Sequence, residues 1–179
     1  MKKVLLLTLA LTTSLFISCS SDDDNTPAPE TGTDANIVGT WTAESVDYSG
    51  FTSTLVLDTG NTLRVEYTGT GTDIDFGMVF SESPNELVTS GSFDLDLTTS
   101  IQGIPEQSMV LDLDFLENGT WVRNGNTLRL TTADSEVIEI SIELLTENSL
   151  RLRLTEESSI STSEIEEEEL LVTVVTLSR

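Results

Sequence analysis

Two pairs of aspartates stand at the spacing that paired-carboxylate chemistry requires. Asp94 and Asp96 are two residues apart, and so are Asp112 and Asp114. On an extended strand such residues point the same way. Hydrolysis of a glycosidic bond needs two carboxyls about 5 to 9.5 Å apart, one of them kept protonated by burial. Each pair alternates with apolar residues: Phe93, Leu95 and Leu97 in the first stretch, and Met109, Leu111, Leu113 and Phe115 in the second. The carboxyls therefore fall on the face opposite the apolar one. An exposed pair lacks the burial that acid catalysis needs, so catalysis is not expected. A third acidic group is the run Glu166, Glu167, Glu168 and Glu169. Calcium binds carboxylate oxygens, but the spacing of a calcium loop is missing, and the run is a weak metal candidate beside its simpler reading as a solvated hairpin tip. No cofactor is expected. There is no histidine, which removes imidazole bases, nucleophile–imidazole pairs and imidazole zinc sites.

The only cysteine, Cys19, lies between an apolar stretch and a run of aspartates. Lys2 and Lys3 precede an apolar segment, Val4 to Ile17, that is too short to span a bilayer and fits the core of a secretory signal. The residues Phe16-Ile17-Ser18-Cys19 resemble a bacterial lipobox, which implies cleavage before Cys19 and acylation of its thiol. Acyl chains bury methylenes at about 0.8 kcal/mol each, enough to anchor a protein without a transmembrane helix. Behind the cysteine, Ser20-Ser21-Asp22-Asp23-Asp24 resembles the export signal of surface lipoproteins of Bacteroidota. That resemblance implies the outer membrane and its outer face. Asn25 to Asn36 reads as a Pro- and Thr-rich tether. The expected organisation is a signal peptide over 1–18, a lipidated tether over 19–36 and one domain over 37–179.

After residue 18 the chain has no lysine, six arginines and all 31 acidic residues, a formal charge of 6 − 31 = −25. Nucleic acid, which needs clustered cations, is not an expected partner. Anionic headgroups would repel the domain, so the lipid is its expected membrane contact. A monomer is expected.

The elements carrying these residues alternate with period two. Leu63, Val65 and Tyr67 oppose Arg64 and Glu66; Ile74, Phe76, Met78 and Phe80 share a face; Ile138, Ile140, Ile142 and Leu144 oppose Glu139 and Glu143. Turn signals such as Asp58-Thr59-Gly60-Asn61 and Asn124-Gly125-Asn126 separate the runs. This pattern predicts an all-β domain, an antiparallel up-and-down barrel of about eight to ten strands. A hairpin joining 138–145 to 149–157 would set Glu139 and Glu143 on the same outer face as Arg151 and Arg153.

The domain opens Gly39-Thr40-Trp41, and Gly-x-Trp in a first strand is similar to the hallmark of lipocalins and other calycins. Gly119-Thr120-Trp121, followed by Gly125-Asn126-Thr127-Leu128-Arg129-Leu130, resembles a hairpin of lipocalin-like lipoproteins of Bacteroidota, and Phe80 to Asn85 resembles a turn in that group. The resemblance implies that Trp41 plugs a closed barrel end. It also implies an arginine packed on Trp41, for which Arg153 and Arg179 are the candidates. Two non-catalytic functions follow: a small apolar ligand held in the barrel, or a filled barrel whose loops meet a protein or glycan partner at the cell surface. Four successive glutamates cannot all avoid a barrel interior, so residues 158–168 are expected to extend beyond its rim.

Overall fold

The computed structural model describes residue 32 and residues 35–179, apart from 103 and 114. Cys19 and the export residues Ser20, Ser21, Asp22, Asp23 and Asp24 lie outside the described residues, as does Asp114. The elements are all strands: β1 Gly39–Val56, β2 Asn61–Thr72, β3 Gly77–Ser81, β4 Glu86–Ser90, β5 Phe93–Ile101, β6 Ile104–Leu113, β7 Gly119–Asn124, β8 Thr127–Thr132, β9 Val137–Leu145, β10 Ser149–Ser161 and β11 Ile165–Ser178. Every pairing is antiparallel.

Eight strands close a barrel in the order β1-β3-β4-β7-β8-β9-β10-β11, with β11 returning to β1. The other three, β2, β5 and β6, are inserted between barrel strands and lie outside the closed ring. The antiparallel barrel expected from the sequence is present and its eight strands fall within the expected eight to ten; three further strands depart from it and lie outside.

The departure has a local cause in β1, which is 18 residues long. Its first residues, Gly39 to Thr42, pair with β3. From Asp47 to Val56 the same edge pairs with β2 instead. Its other edge follows β11 from Thr42 to Val56, with a register shift between Ala43 and Ser45 that bends the strand. Above this point β10, β11, β1, β2, β5 and β6 continue as one sheet that projects past the barrel.

Below it the barrel is filled. Trp41, Met78, Leu128, Leu130, Ile140, Leu150, Leu152, Val175 and Leu177 are completely buried, and Phe80 and Leu87 nearly so. Phe76 caps this core from above, edge-on to Phe93 at 6.4 Å and to Phe115 at 6.0 Å between ring centroids. Such aromatic pairs contribute about 0.5–1.5 kcal/mol beyond their burial.

The lower end is closed by Trp41. Its indole N–H donates to the Ile37 carbonyl at 2.8 Å, and the Arg179 guanidinium lies 4.3 Å over its ring. Arg179 also donates to the carbonyls of Val38 (2.9 Å), Asn36 (3.2 Å) and Glu147. Of the two arginines open in the sequence, it is Arg179 that packs on Trp41. Gly39 is required beside it: its φ is +138°, and a Cβ there would lie 3.1 Å from Arg179 Nη1. Trp121 is held from the side. Its N–H is shared between the Ser81 and Glu86 carbonyls, both at 3.2 Å, and its ring meets Phe80 edge-on at 5.8 Å. The β7–β8 turn begins at Gly125, whose φ is +59°.

Candidate functional site

Most of the uncovered apolar surface lies on the projecting sheet. Eleven large hydrophobic side chains are exposed among the described residues, and seven of them (Val56, Leu57, Leu63, Ile104, Met109, Val110 and Ile160) lie on this sheet or its turns. Their placement follows from register. On β1 the side chains of Val46, Tyr48, Thr52 and Thr54 lie on the face that continues the barrel interior. Their partners on β11 are Val175, Thr173, Glu169 and Glu167. On β2 the partners of Tyr48, Thr52 and Thr54 are Gly69, Val65 and Leu63. On β10 the same face carries Leu154, Glu156, Ser158 and Ile160.

The glutamate run therefore divides. Glu167 and Glu169 are half-buried on the inner face, while Glu166 and Glu168 are exposed on the outer one. The inner two are met by hydroxyls: Thr54 donates to Glu167 at 3.0 Å and Thr52 to Glu169 at 3.4 Å. The extension beyond the rim expected over 158–168 is a β10–β11 hairpin, turning at 162–164. Opposite-face alternation spreads the four carboxylates, and no group of three or more metal-binding side chains converges among the described residues.

Tyr48 stands at the junction of barrel and sheet. Its phenol pKa is raised above the ordinary value, first by burial and then by the negative charge of Glu156 and Glu169 and the neighbouring Tyr67. Tyr67 lies 3.2 Å from the Thr52 hydroxyl. Beside Tyr48 is a cavity of about 250 Å³ lined by Val46, Phe93, Leu95, Phe115, Leu154, Glu156 and Thr173.

Next to it the wall parts. β10 pairs with β9 only from Leu150 to Leu154. β9 continues on its other side with β8, from Ile138 and Val137 opposite Leu130 and Thr131. Between the diverging strands is a cleft of about 650 Å³ whose lining shares Phe115, Leu154 and Glu156 with the cavity and adds Glu117, Glu136, Glu139 and Glu157.

The aspartate pairs are elsewhere. Asp94 is half-buried and Asp96 and Asp112 are exposed, on the face opposite the buried Phe93, Leu95 and Leu97. Asp94 is directly opposite Asp112 across β5 and β6, a like-charge pair that weakens this part of the sheet. Of the charges expected on the β9–β10 hairpin, Glu143 accepts from Arg151 Nε at 2.9 Å and from Arg153 Nε. These bonds, Arg153's first, hold its carboxyl below the ordinary range. Glu139 pairs instead across from Arg129 of β8.

The chemistry open to this region is recognition: an acidic, partly apolar cleft, hydroxyls and unpaired strand edges. The split between β9 and β10 had no signal in the sequence, since strand alternation continues through it without a break. The chain matches no family model, no curated protein and no solved structure.

Proposed function

We propose that the chain is a non-catalytic, lipid-anchored surface protein of the lipocalin-like kind, in which a filled barrel holds up a sheet that meets a protein or glycan partner. The observation that carries this reading is the division of apolar surface. The barrel interior is filled by its own side chains, whereas the projecting sheet leaves leucine, isoleucine and methionine exposed. A pocket for a small ligand usually encloses about 300–1,000 Å³. The mouth cavity, at about 250 Å³, falls below that range, and the cleft of about 650 Å³ beside it falls within it but lies open between β9 and β10 and not inside the barrel. The anchoring part of the reading is supported by the lipobox-like residues ending at Cys19 and by the acidic residues Asp22, Asp23 and Asp24 behind it.

Titration of the intact chain with a fluorescent long-chain fatty acid tests the filled barrel. The expected result is no saturable one-to-one binding. Stoichiometric binding that alters the fluorescence of Trp41 and Trp121 would replace the interaction role with a ligand-carrying one. For the anchor, Cys19→Ala is expected to abolish incorporation of labelled fatty acid, and alanine at Asp22, Asp23 and Asp24 is expected to protect the protein from protease added to intact cells.

A further inference from the structure

We infer that the free edge of β10, from Glu156 to Ser161, accepts an extended, cationic segment of another protein as an added strand. The inference rests on the interaction reading above and names the partner's chemistry.

The backbone geometry comes first. β10 pairs with β11 along its whole length but with β9 only as far as Leu154. At the hairpin turn, the Thr162 N–H donates to the Ile165 carbonyl at 2.8 Å. In an antiparallel ladder, hydrogen-bonded and non-hydrogen-bonded pairs alternate. Counting back from Thr162, the even residues Ile160, Ser158 and Glu156 bond to β11. The odd residues aim their N–H and C=O groups away from β11: Thr155, beside the last β9 pair Leu154–Ile140, still faces Glu139, whereas Glu157, Ser159 and Ser161 face the cleft. No strand pairs with them there among the described residues. Six residues of such an edge span about 20 Å, the length of an ordinary strand. Sheet edges of this kind are usually covered or guarded, often by lysine, and this chain has no lysine beyond Lys3.

The cleft supplies the side-chain half of the site. Phe115, Leu116, Ile138 and Leu154 give it apolar surface, which suits alternate apolar residues of an added strand. Its charges are Glu117, Glu136, Glu139, Glu156 and Glu157, and its lining contains no arginine. The complement is a segment alternating lysine or arginine with small apolar residues. A second copy of this chain is a poor occupant, because each copy carries a formal charge of 6 − 31 = −25 after residue 18.

The experiment is fluorescence anisotropy on the intact chain with a labelled probe peptide, Lys-Val-Lys-Val-Lys-Val-Lys. Two further probes carry N-methyl groups on residues 2, 4 and 6, or on residues 3 and 5, so that each has one of its two hydrogen-bonding edges blocked. The expected result is saturable binding of the parent peptide and a loss of at least tenfold for one methylated probe only. Ser159→Pro removes a donor on the cleft side and leaves the β11 ladder intact; it is expected to weaken the parent peptide by at least tenfold. Glu139→Gln with Glu157→Gln is expected to weaken it several-fold and to flatten its salt dependence. The methylated probes report on the unaltered protein, so a folding defect in Ser159→Pro leaves the test standing. Absence of parent-peptide binding overturns the inference. Equal binding of all three probes also overturns it, since charge alone then suffices, yet leaves the interaction reading in place. Dimers that Ser159→Pro converts to monomers would assign the edge to a second copy and overturn it as well. Failure of the interaction reading itself is read separately, by the fatty-acid titration.

Discussion

The lower half of β10 and its upper half differ by one neighbour. From Leu150 to Leu154 the strand lies between β9 and β11, and Leu150 and Leu152 are completely buried. From Glu156 to Ser161 it keeps β11 alone, and every residue is exposed. The backbone conformation is the same in both halves. What changes is whether the sheet has closed. Closure converts an apolar face into a core, and its loss a few residues later leaves the same kind of face open to a partner. β1 shows the same contrast: Trp41 and Val46 are buried, while Val56 at its far end is 38% exposed.

Mutations should divide along this line. The largest effect is expected for Trp41→Ala, which removes a buried indole, its bond to Ile37 and the seat of Arg179. Large-to-small changes of this kind cost about 3–5 kcal/mol, read as a fall in the denaturation midpoint. Leu152→Ala should follow at about 2–5 kcal/mol. Leu63→Ala and Ile160→Ala, both at residues 53% exposed, should stay within about 0.5 kcal/mol. A cost at Leu63 or Ile160 equal to that at Leu152 would mean that the upper sheet is covered, and the comparison would fail.

A smaller effect concerns charge. Glu143 joins Arg151 and Arg153 on the outside of the barrel, and surface pairs contribute about 0–1 kcal/mol. Its folded pKa is depressed, so this contribution is present above the ordinary carboxylate range and is lost as pH falls through the depressed value. Glu143→Gln should lower stability slightly at neutral pH and converge on the parent protein in acid. A constant difference across pH would exclude an ionic origin.

Smaller still is the expected shift at Tyr48. Its raised pKa means that the unfolded phenol ionises before the folded one, so stability should decline as pH rises past about 10. Glutamine at Glu156 and Glu169 should bring Tyr48 ionisation to lower pH in an ultraviolet titration. The protein has only two tyrosines, so the same titration in a Tyr67→Phe background reads Tyr48 alone. Unchanged titration would place the phenol away from these carboxylates.

Much of the frame could be read from residue order. Alternation in Phe93-Asp94-Leu95-Asp96-Leu97 and in Ile138 to Leu144 states which side chains turn inward, and Gly39-Thr40-Trp41 marks the closed end. The choice of Arg179 over Arg153 could not be read, because it depends on where the last strand ends relative to the first. Leu63 and Met109 carry the same alternation as Leu95, yet they are 53% and 46% exposed. Period two fixes a face; only long-range pairing decides what covers it. The cleft arises from strand divergence, which leaves no local pattern. Glu156 and Glu157 therefore read as solvated charge until β9 and β10 are seen to part.

The most direct measurement is amide hydrogen exchange along β10, resolved residue by residue by NMR. Arg153 lies opposite Ser141 of β9 and, in the count that begins at Thr162, it faces β9. Its amide should exchange with the slow core of the barrel. The amides of Glu157, Ser159 and Ser161 point at the open edge and should exchange orders of magnitude faster, while those of Glu156, Ser158 and Ile160, bonded to β11, should lie between. Uniform protection from Leu150 to Ser161 would show that the upper edge of β10 is already paired, and would contradict the account.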